Sequence, residues 1–147
     1  MARANLIMWP LLAAAVLGAG WMIYSDRAQE AATADALASI ESIDSRWQDS
    51  MRLLQQTPRI ALPAQIAIAQ ELAQEARSLP LTGCPDTARA HLVRSIEAGV
   101  AGYLAFLGQQ GGTLPALGEA SSERAQMLSA LGVCRGEAPI DFSELDM

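Results

Sequence analysis

The chain has 147 residues, of which 51% are hydrophobic, 18% charged and 5% aromatic, and its formal net charge at pH 7 is −6. Such a length holds one modest domain plus an anchor rather than two full domains. The acidic balance argues against nucleic acid and against an anionic membrane surface as electrostatic partners. The 28 alanines and the absence of lysine predict an Ala-rich helical protein and are typical of a GC-rich bacterial genome.

The chain opens with an uncharged run of nineteen residues, 6–24. A helix of this length covers roughly 28 Å, close to the hydrocarbon thickness of a bilayer. Trp9 lies near one end of the run, and Trp21 and Tyr24 lie near the other, as expected for rings at the two membrane interfaces. We therefore predict an N-terminal membrane anchor over 1–24 that contacts the lipid bilayer through 6–24.

A cleaved signal peptide is the alternative to this anchor, because small residues at 18–20 and 32–34 resemble cleavage sites. Cleavage after Gly20 leaves an apolar N-terminus, and the second site lies beyond several charged residues, so the sequence favours an uncleaved anchor. Arg3 precedes the run, whereas Arg27 is offset by neighbouring acidic residues. This asymmetry predicts a single-pass protein of the bacterial inner (cytoplasmic) membrane, with most of the chain on the periplasmic side.

The region from 25 to 56 contains no proline or glycine, which predicts a helical stalk that continues the anchor and stops before Pro58. Its apolar residues recur at spacings of three and four, which places them on one helical face. Packing of this face against later helices is the main interpretation, and a self-associating coiled coil is the alternative. The residues of the face are Ile40, Ile43, Trp47, Met51 and Leu54.

Two further helices are bounded by proline and glycine. The second is predicted from Pro63 to about Leu79 and carries Glu71 and Glu75, a carboxylate pair most simply interpreted as solvated. The third is predicted from Pro85 to about Gln109. It contains Gly99 and Gly102, which predict the close approach of a neighbouring helix. Its second half is apolar almost all round, and an exposed apolar groove for a lipid or partner would use the same residues as core packing. These residues are Leu92, Ile96, Val100, Tyr103, Leu104, Phe106 and Leu107.

A fourth helix is predicted to begin at Pro115 or at Ser121/Ser122 and to end near Val133. Its expected inner face consists of Leu117, Leu128 and Leu131. Residues 135–147 form an acidic tail for which we expect flexibility. Ile140, Phe142 and Leu145 make a short docking element within this tail an alternative expectation.

Cys84 and Cys134 are the only cysteines of the chain, and Cys84 precedes the third helix while Cys134 ends the fourth. If these helices form an antiparallel hairpin, the two cysteines are neighbours. We therefore predict one disulfide, as is common in exported proteins.

His91 is the only histidine, so the chain lacks the ligand sets typical of zinc or di-iron sites. His91, Ser95 and Asp86 all lie on one predicted helix, which does not preorganise a hydrolase site. No phosphate-binding or dinucleotide-binding motif occurs either. The sequence thus predicts no enzyme, no cofactor, no metal and no nucleic-acid partner.

Together these features predict an all-α protein in which a transmembrane helix continues into an extracytoplasmic bundle of three or four helices with one disulfide, residues 25–134. The predicted function is that of a non-catalytic interaction protein, an accessory or assembly subunit of a bacterial envelope complex whose partners are other envelope subunits. The alternative is a bundle that binds a small apolar ligand or lipid. The predicted interaction residues are Tyr103, Phe106, Leu107, Ile140, Phe142 and Leu145.

Overall fold

The computed structural model describes the backbone of residues 5–109 and 111–137 and the side chains of residues 29–109 and 111–137. In this part of the chain the fold is all-helical, with four helices, which confirms the predicted all-α class. The helices are α1 (Asn5–Gln56), α2 (Leu62–Ser78), α3 (Cys84–Leu107) and α4 (Thr113–Cys134), and a short 3-10 turn (Arg59–Ala61) precedes α2.

The chain divides into two compact units, 1–35 and 36–147, and α1 runs through both. In the first unit the described backbone is helical throughout, and Thr33 Oγ1 donates a hydrogen bond of 2.9 Å to the carbonyl of Gln29. Within residues 29–109 and 111–137, no helix is long and apolar enough to cross a membrane. The predicted span at 6–24 lies before that part of the chain.

Proline and glycine set the ends of the helices. The predicted stop before Pro58 is confirmed, since α1 ends at Gln56, and α2 and α3 carry Pro63 and Pro85 in their first turns. The prediction for the start of α4 was two or more residues late. Gly112 has a φ of 134°, and its carbonyl already accepts the amide of Ala116 at 3.1 Å, so the helix starts at Thr113.

Successive helices of the second unit are antiparallel. The disulfide joins the start of α3 to the end of α4, and Arg59, just before α2, donates a hydrogen bond to the carbonyl of Leu107 at the end of α3. Helix α1 contacts the other three helices: its Trp47 meets α3, its Arg46 pairs with Glu75 of α2, and acidic residues of α1 pair with arginines of α4 and of the turn that follows it.

The core forms around Trp47, whose side chain is 1% exposed. A Cβ added to Gly99 would lie 2.5 Å from Trp47 Cζ2, and one added to Gly102 would lie 3.2 Å from Leu117. Both glycines therefore admit a close neighbouring helix, which confirms the reason predicted for them. The predicted apolar face of α1 is also confirmed: four of its members are buried, and Met51 packs partly buried against them.

The predicted inner face of α4 was wrong at one position. Leu128 is 39% exposed, whereas the neighbouring Met127 is fully buried. Leu131 is buried as predicted, and Leu117 is half-buried against Gly102. The buried face of α4 is therefore rotated from the face that the leucines predict. The unbranched side chain of Met127 packs into the core in place of Leu128.

Candidate functional site

The two ends of the bundle differ sharply. At one end, here called the stapled end, Cys84 and Cys134 form the predicted disulfide, with a Cα–Cα distance of 5.6 Å that is typical of such bonds. Arg135, which follows Cys134, pairs with Glu41 where α1 enters the bundle. Arg89 donates hydrogen bonds to the carbonyls of Arg77 and Leu79 near the same end. The stapled end is thus held by covalent and ionic links.

The opposite end exposes large apolar side chains. Helices α1 and α3 end there, and α2 and α4 begin there. Ile60 is 92% exposed and Leu114 is 81% exposed, and about half of Leu53 and of Phe106 is exposed. We call these four residues the apolar end. Scattered exposed leucines are ordinary on protein surfaces, but a concentration of them at one end is typical of an interaction site.

This end is almost free of charge. In residues 53–70 and 98–118, which surround it in the sequence, Arg59 is the single charged residue, although the whole chain has 26. The Arg59 guanidinium lies 5.8 Å from the centroid of the Phe106 ring, a cation–π distance. Arg59 also donates to the carbonyl of Leu107. These two contacts hold the Phe106 ring beside the one cation of the apolar end.

A second candidate surface is a groove between α2 and α3, on the solvent side of the two helices. Its volume is about 550 Å³, within the range of small-ligand sites. The residues from each helix follow the spacing i, i+3, i+4, i+7, which places them on one helical face. They are Gln70, Ala73, Gln74 and Arg77 from α2, and Glu97, Val100, Ala101 and Leu104 from α3.

The groove has an apolar floor and neutral sides. Ala73 and Val100 are 4% and 7% exposed and form the floor. Arg77 and Glu97 form an ion pair across one end of the groove, so neither leaves an uncompensated charge. Leu104, at the other end, is 47% exposed. A ligand or helix that enters the groove therefore meets apolar surface without a net charge.

A polar cluster joins α3 to α4. His91 Nδ1 lies 2.7 Å from Glu123 Oε2, and Arg94 Nε donates to the same oxygen at 2.9 Å. Burial raises the pKa of Glu123, but the hydrogen bonds and charges of His91 and Arg94 outweigh this effect, so its pKa is lowered from 4.5. Next to it, Arg124 forms two hydrogen bonds to Asp44 of α1, at 3.0 and 2.9 Å. These contacts lock α4 to α3 and α1.

The structure does not assemble the residues that a hydrolase would use. The Ser95 hydroxyl is buried and donates to the carbonyl of Ala120 at 2.8 Å. Asp86 pairs with Arg89 rather than with His91. Glu75, one of the two carboxylates considered above, pairs with Arg46 at 2.7 Å. Within residues 29–109 and 111–137, no group of three His, Cys, Asp or Glu side chains could hold a metal ion.

The predicted interaction residues fall in three places. Phe106 belongs to the apolar end, whereas Tyr103 and Leu107 pack partly buried against the core. Ile140, Phe142 and Leu145 lie outside the described residues. The sequence reasoning missed Ile60 and Leu114, because Ile60 lies in the turn before α2 and Leu114 lies in the first turn of α4, which was predicted to start later. The signal that could have found them is the near absence of charge in the stretches around both residues.

Comparison with known protein families, with curated proteins and with solved structures finds no match to this chain. The proposed function therefore rests on the surfaces and contacts of this chain alone.

Proposed function

We propose that the chain is a non-catalytic, membrane-anchored interaction protein, an accessory or assembly subunit of a bacterial envelope complex. Residues 6–24 anchor it in the inner membrane, and the bundle lies on the periplasmic side. The apolar end binds a protein partner. The observation that carries this proposal is the exposure of Ile60, Leu114, Phe106 and Leu53 together at the end of the bundle remote from residue 36.

The anchor and the compartment are supported by the sequence and by the disulfide. The run 6–24 is uncharged and has aromatic residues near both of its ends. Disulfides persist in oxidising compartments such as the periplasm and are rare in the cytosol. A disulfide between Cys84 and Cys134 therefore supports export of the bundle.

A protein partner suits the apolar end better than a lipid surface does. Interface centres are enriched in aromatic residues and arginine and poor in acidic residues. Phe106, Arg59 and the absence of Asp and Glu in residues 53–70 and 98–118 fit that composition. Peripheral binding to anionic lipid usually uses several basic residues. Residues 53–70 and 98–118 contain a single arginine, Arg59, and the net charge of the chain is −6.

Site-specific photocrosslinking in native membranes tests this proposal. A benzophenone amino acid is introduced at position 60 or 114 of the full chain, and at Gln126, an exposed polar position on α4, as the control. We expect a discrete protein adduct from 60 and 114 that Phe106→Ser abolishes at both. Equal labelling from all three positions, or adducts to lipid alone, would contradict a protein-binding role for the apolar end.

A separate experiment tests the proposed membrane anchor and the periplasmic location of the bundle. Protease added to spheroplasts should digest the bundle of the membrane-bound chain, and intact-mass analysis should find an N-terminus that precedes residue 6. A chain that is released with the periplasmic fraction, with an N-terminus after residue 20, would show that the run 6–24 is a cleaved signal peptide.

The groove supports a second candidate function, the binding of a small apolar ligand or lipid. Its volume of about 550 Å³ and its floor of Ala73 and Val100 are the supporting observations. Extraction in mild detergent followed by native mass spectrometry should then find a bound lipid. Ala101→Trp, at an exposed residue that lines the groove, should remove that lipid, whereas Ala125→Trp on α4 should leave it bound.

A further inference from the structure

The face of the bundle that contains the α2–α3 groove is self-complementary. Leu104 projects from it with 47% of its surface exposed, beside a hollow lined by small side chains such as Ala73 and Ala101. In a two-fold symmetric interface the same surface patch of both copies meets, so the patch must be complementary to itself. A protruding side chain beside a hollow meets this condition. We propose that a second copy of this chain occupies the groove, so that the protein is a parallel homodimer.

Charge favours a second copy on this face. Two identical chains of net charge −6 repel each other wherever unpaired carboxylates meet. On the groove face Arg77 and Glu97 neutralise each other, and Gln70 and Gln74 are uncharged. The residues that line two such grooves therefore meet without like-charge repulsion, and glutamine side chains supply hydrogen bonds at the rim of the contact.

The anchor sequence gives an independent indication of self-association. Ala14 and Gly18, and likewise Ala15 and Ala19, are small residues four positions apart within the uncharged run. This spacing lets two membrane helices approach closely and is typical of parallel helix pairs in bilayers. Confinement of both copies to one membrane also raises their effective concentration.

A parallel two-fold axis along the bundle sets which residues meet. Equivalent residues of the two copies then lie at the same height, so Leu104 of one copy enters the end of the other's groove formed by Gln70 and Ala101. Leu104 lines that end of the groove and is 47% exposed, so this end is accessible from solvent. The dimer rests on the proposed anchor for its parallel orientation, but its interface does not include the apolar end.

Cysteine crosslinking of the full chain in native membranes tests the dimer. Cys84 and Cys134 are bonded to each other, so an introduced cysteine is the sole free thiol. Ala101→Cys should give an oxidised dimer under copper phenanthroline, whereas Gln126→Cys on α4 should stay monomeric. An Ala101→Cys chain that forms no more dimer than Gln126→Cys overturns the proposal.

A charge introduced at Leu104 gives a second test of the dimer. Leu104→Asp in the Ala101→Cys background should weaken dimer association by about 30-fold, the change expected when a side chain that dominates an interface is lost, and should lower the yield of crosslinked dimer accordingly. The matched variant Leu128→Asp, at an exposed leucine of α4, should leave the yield unchanged. Intact mass and circular dichroism confirm that both variants keep the disulfide and the helices. Equal yields for the two variants overturn the role of Leu104.

The outcomes separate this proposal from the function proposed above. Dimers at position 101 together with adducts of another protein at position 60 support both. Dimers at position 101 without any adduct at position 60 support the dimer and contradict the partner at the apolar end. A monomer whose groove retains a bound lipid in native mass spectrometry contradicts the dimer and favours the ligand instead.

Discussion

The two ends of the bundle differ in how their side chains are used: one end is crosslinked within the chain, and the other exposes apolar side chains to solvent. The stapled end carries the disulfide and the Arg135–Glu41 pair, and it uses its charges within the chain. The apolar end exposes Ile60 and Leu114 almost fully, and Arg59 is the single charged residue in the stretches 53–70 and 98–118 around it. We therefore expect substitutions at the stapled end and in the middle of the bundle to cost more stability than substitutions of the exposed residues of the apolar end.

The disulfide should have the largest effect on stability. Cys84→Ser/Cys134→Ser opens a loop with a sequence separation of 50, and the chain-entropy relation then predicts a loss of about 4 kcal/mol in the free energy of unfolding. Urea denaturation measures this loss. Hydrogen exchange should accelerate first around Cys84 and Cys134. Faster exchange at the apolar end alone would contradict the prediction that the disulfide stabilises the stapled end.

The close contact in the middle of the bundle should have the next largest effect. Gly99→Ala places a methyl group 2.5 Å from the Trp47 ring, so the ring or the helix must shift, at a cost of about 1–3 kcal/mol. Gly118→Ala is the matched control, because a Cβ there meets nothing within 4 Å. On an exposed helical position this change should stabilise the protein by roughly 0.5–1 kcal/mol. Equal effects of the two changes would show that Gly99 is not tightly packed.

The Glu123 cluster should make the junction of α3 and α4 sensitive to acid. The folded state lowers the pKa of Glu123 from 4.5, so its contribution to stability is complete above that pH and is lost as the pH falls through the folded-state pKa. Glu123→Gln should cost about 2 kcal/mol at pH 7, because it removes charge-assisted hydrogen bonds to His91 and Arg94.

Urea midpoints measured between pH 7 and pH 3 check this prediction. The difference between the wild-type chain and Glu123→Gln should shrink as the pH falls below 4.5. Glu119→Gln, at an exposed carboxylate of the same helix, serves as the control and should parallel the wild-type curve. A constant difference across the whole range would mean that the ionised carboxylate is not what stabilises the cluster.

The apolar end should show the smallest effect on stability. Ile60→Ser and Leu114→Ser change side chains that are 92% and 81% exposed, so the free energy of unfolding should stay within about 0.5 kcal/mol of the wild-type value. The same variants should lose the photocrosslinked partner. A loss of stability comparable to that of the disulfide variant would mean that these residues pack within the fold and are not a binding surface.

Much of the bundle could be predicted from local patterns. The spacing of Ile40, Ile43, Trp47 and Leu54 marks one buried face, and Pro58 and Pro63 mark the break between two helices. The choice between Met127 and Leu128 could not be predicted, because both fit a helical pattern and the rotation of α4 depends on contacts with α1 and α3. The apolar end was only partly predicted, through Phe106, because exposure of a connection depends on how the helices around it are placed.

By itself, the sequence determined that the chain is helical, where its helices stop, and that Cys84 and Cys134 meet across an antiparallel hairpin. These are consequences of backbone chemistry and of short-range periodicity. Only the tertiary structure decided that Trp47 packs against Gly99 and that His91 and Arg94 both contact Glu123. It also decided which apolar side chains are exposed to solvent. Each of these depends on the mutual placement of helices far apart in sequence, which no local pattern encodes.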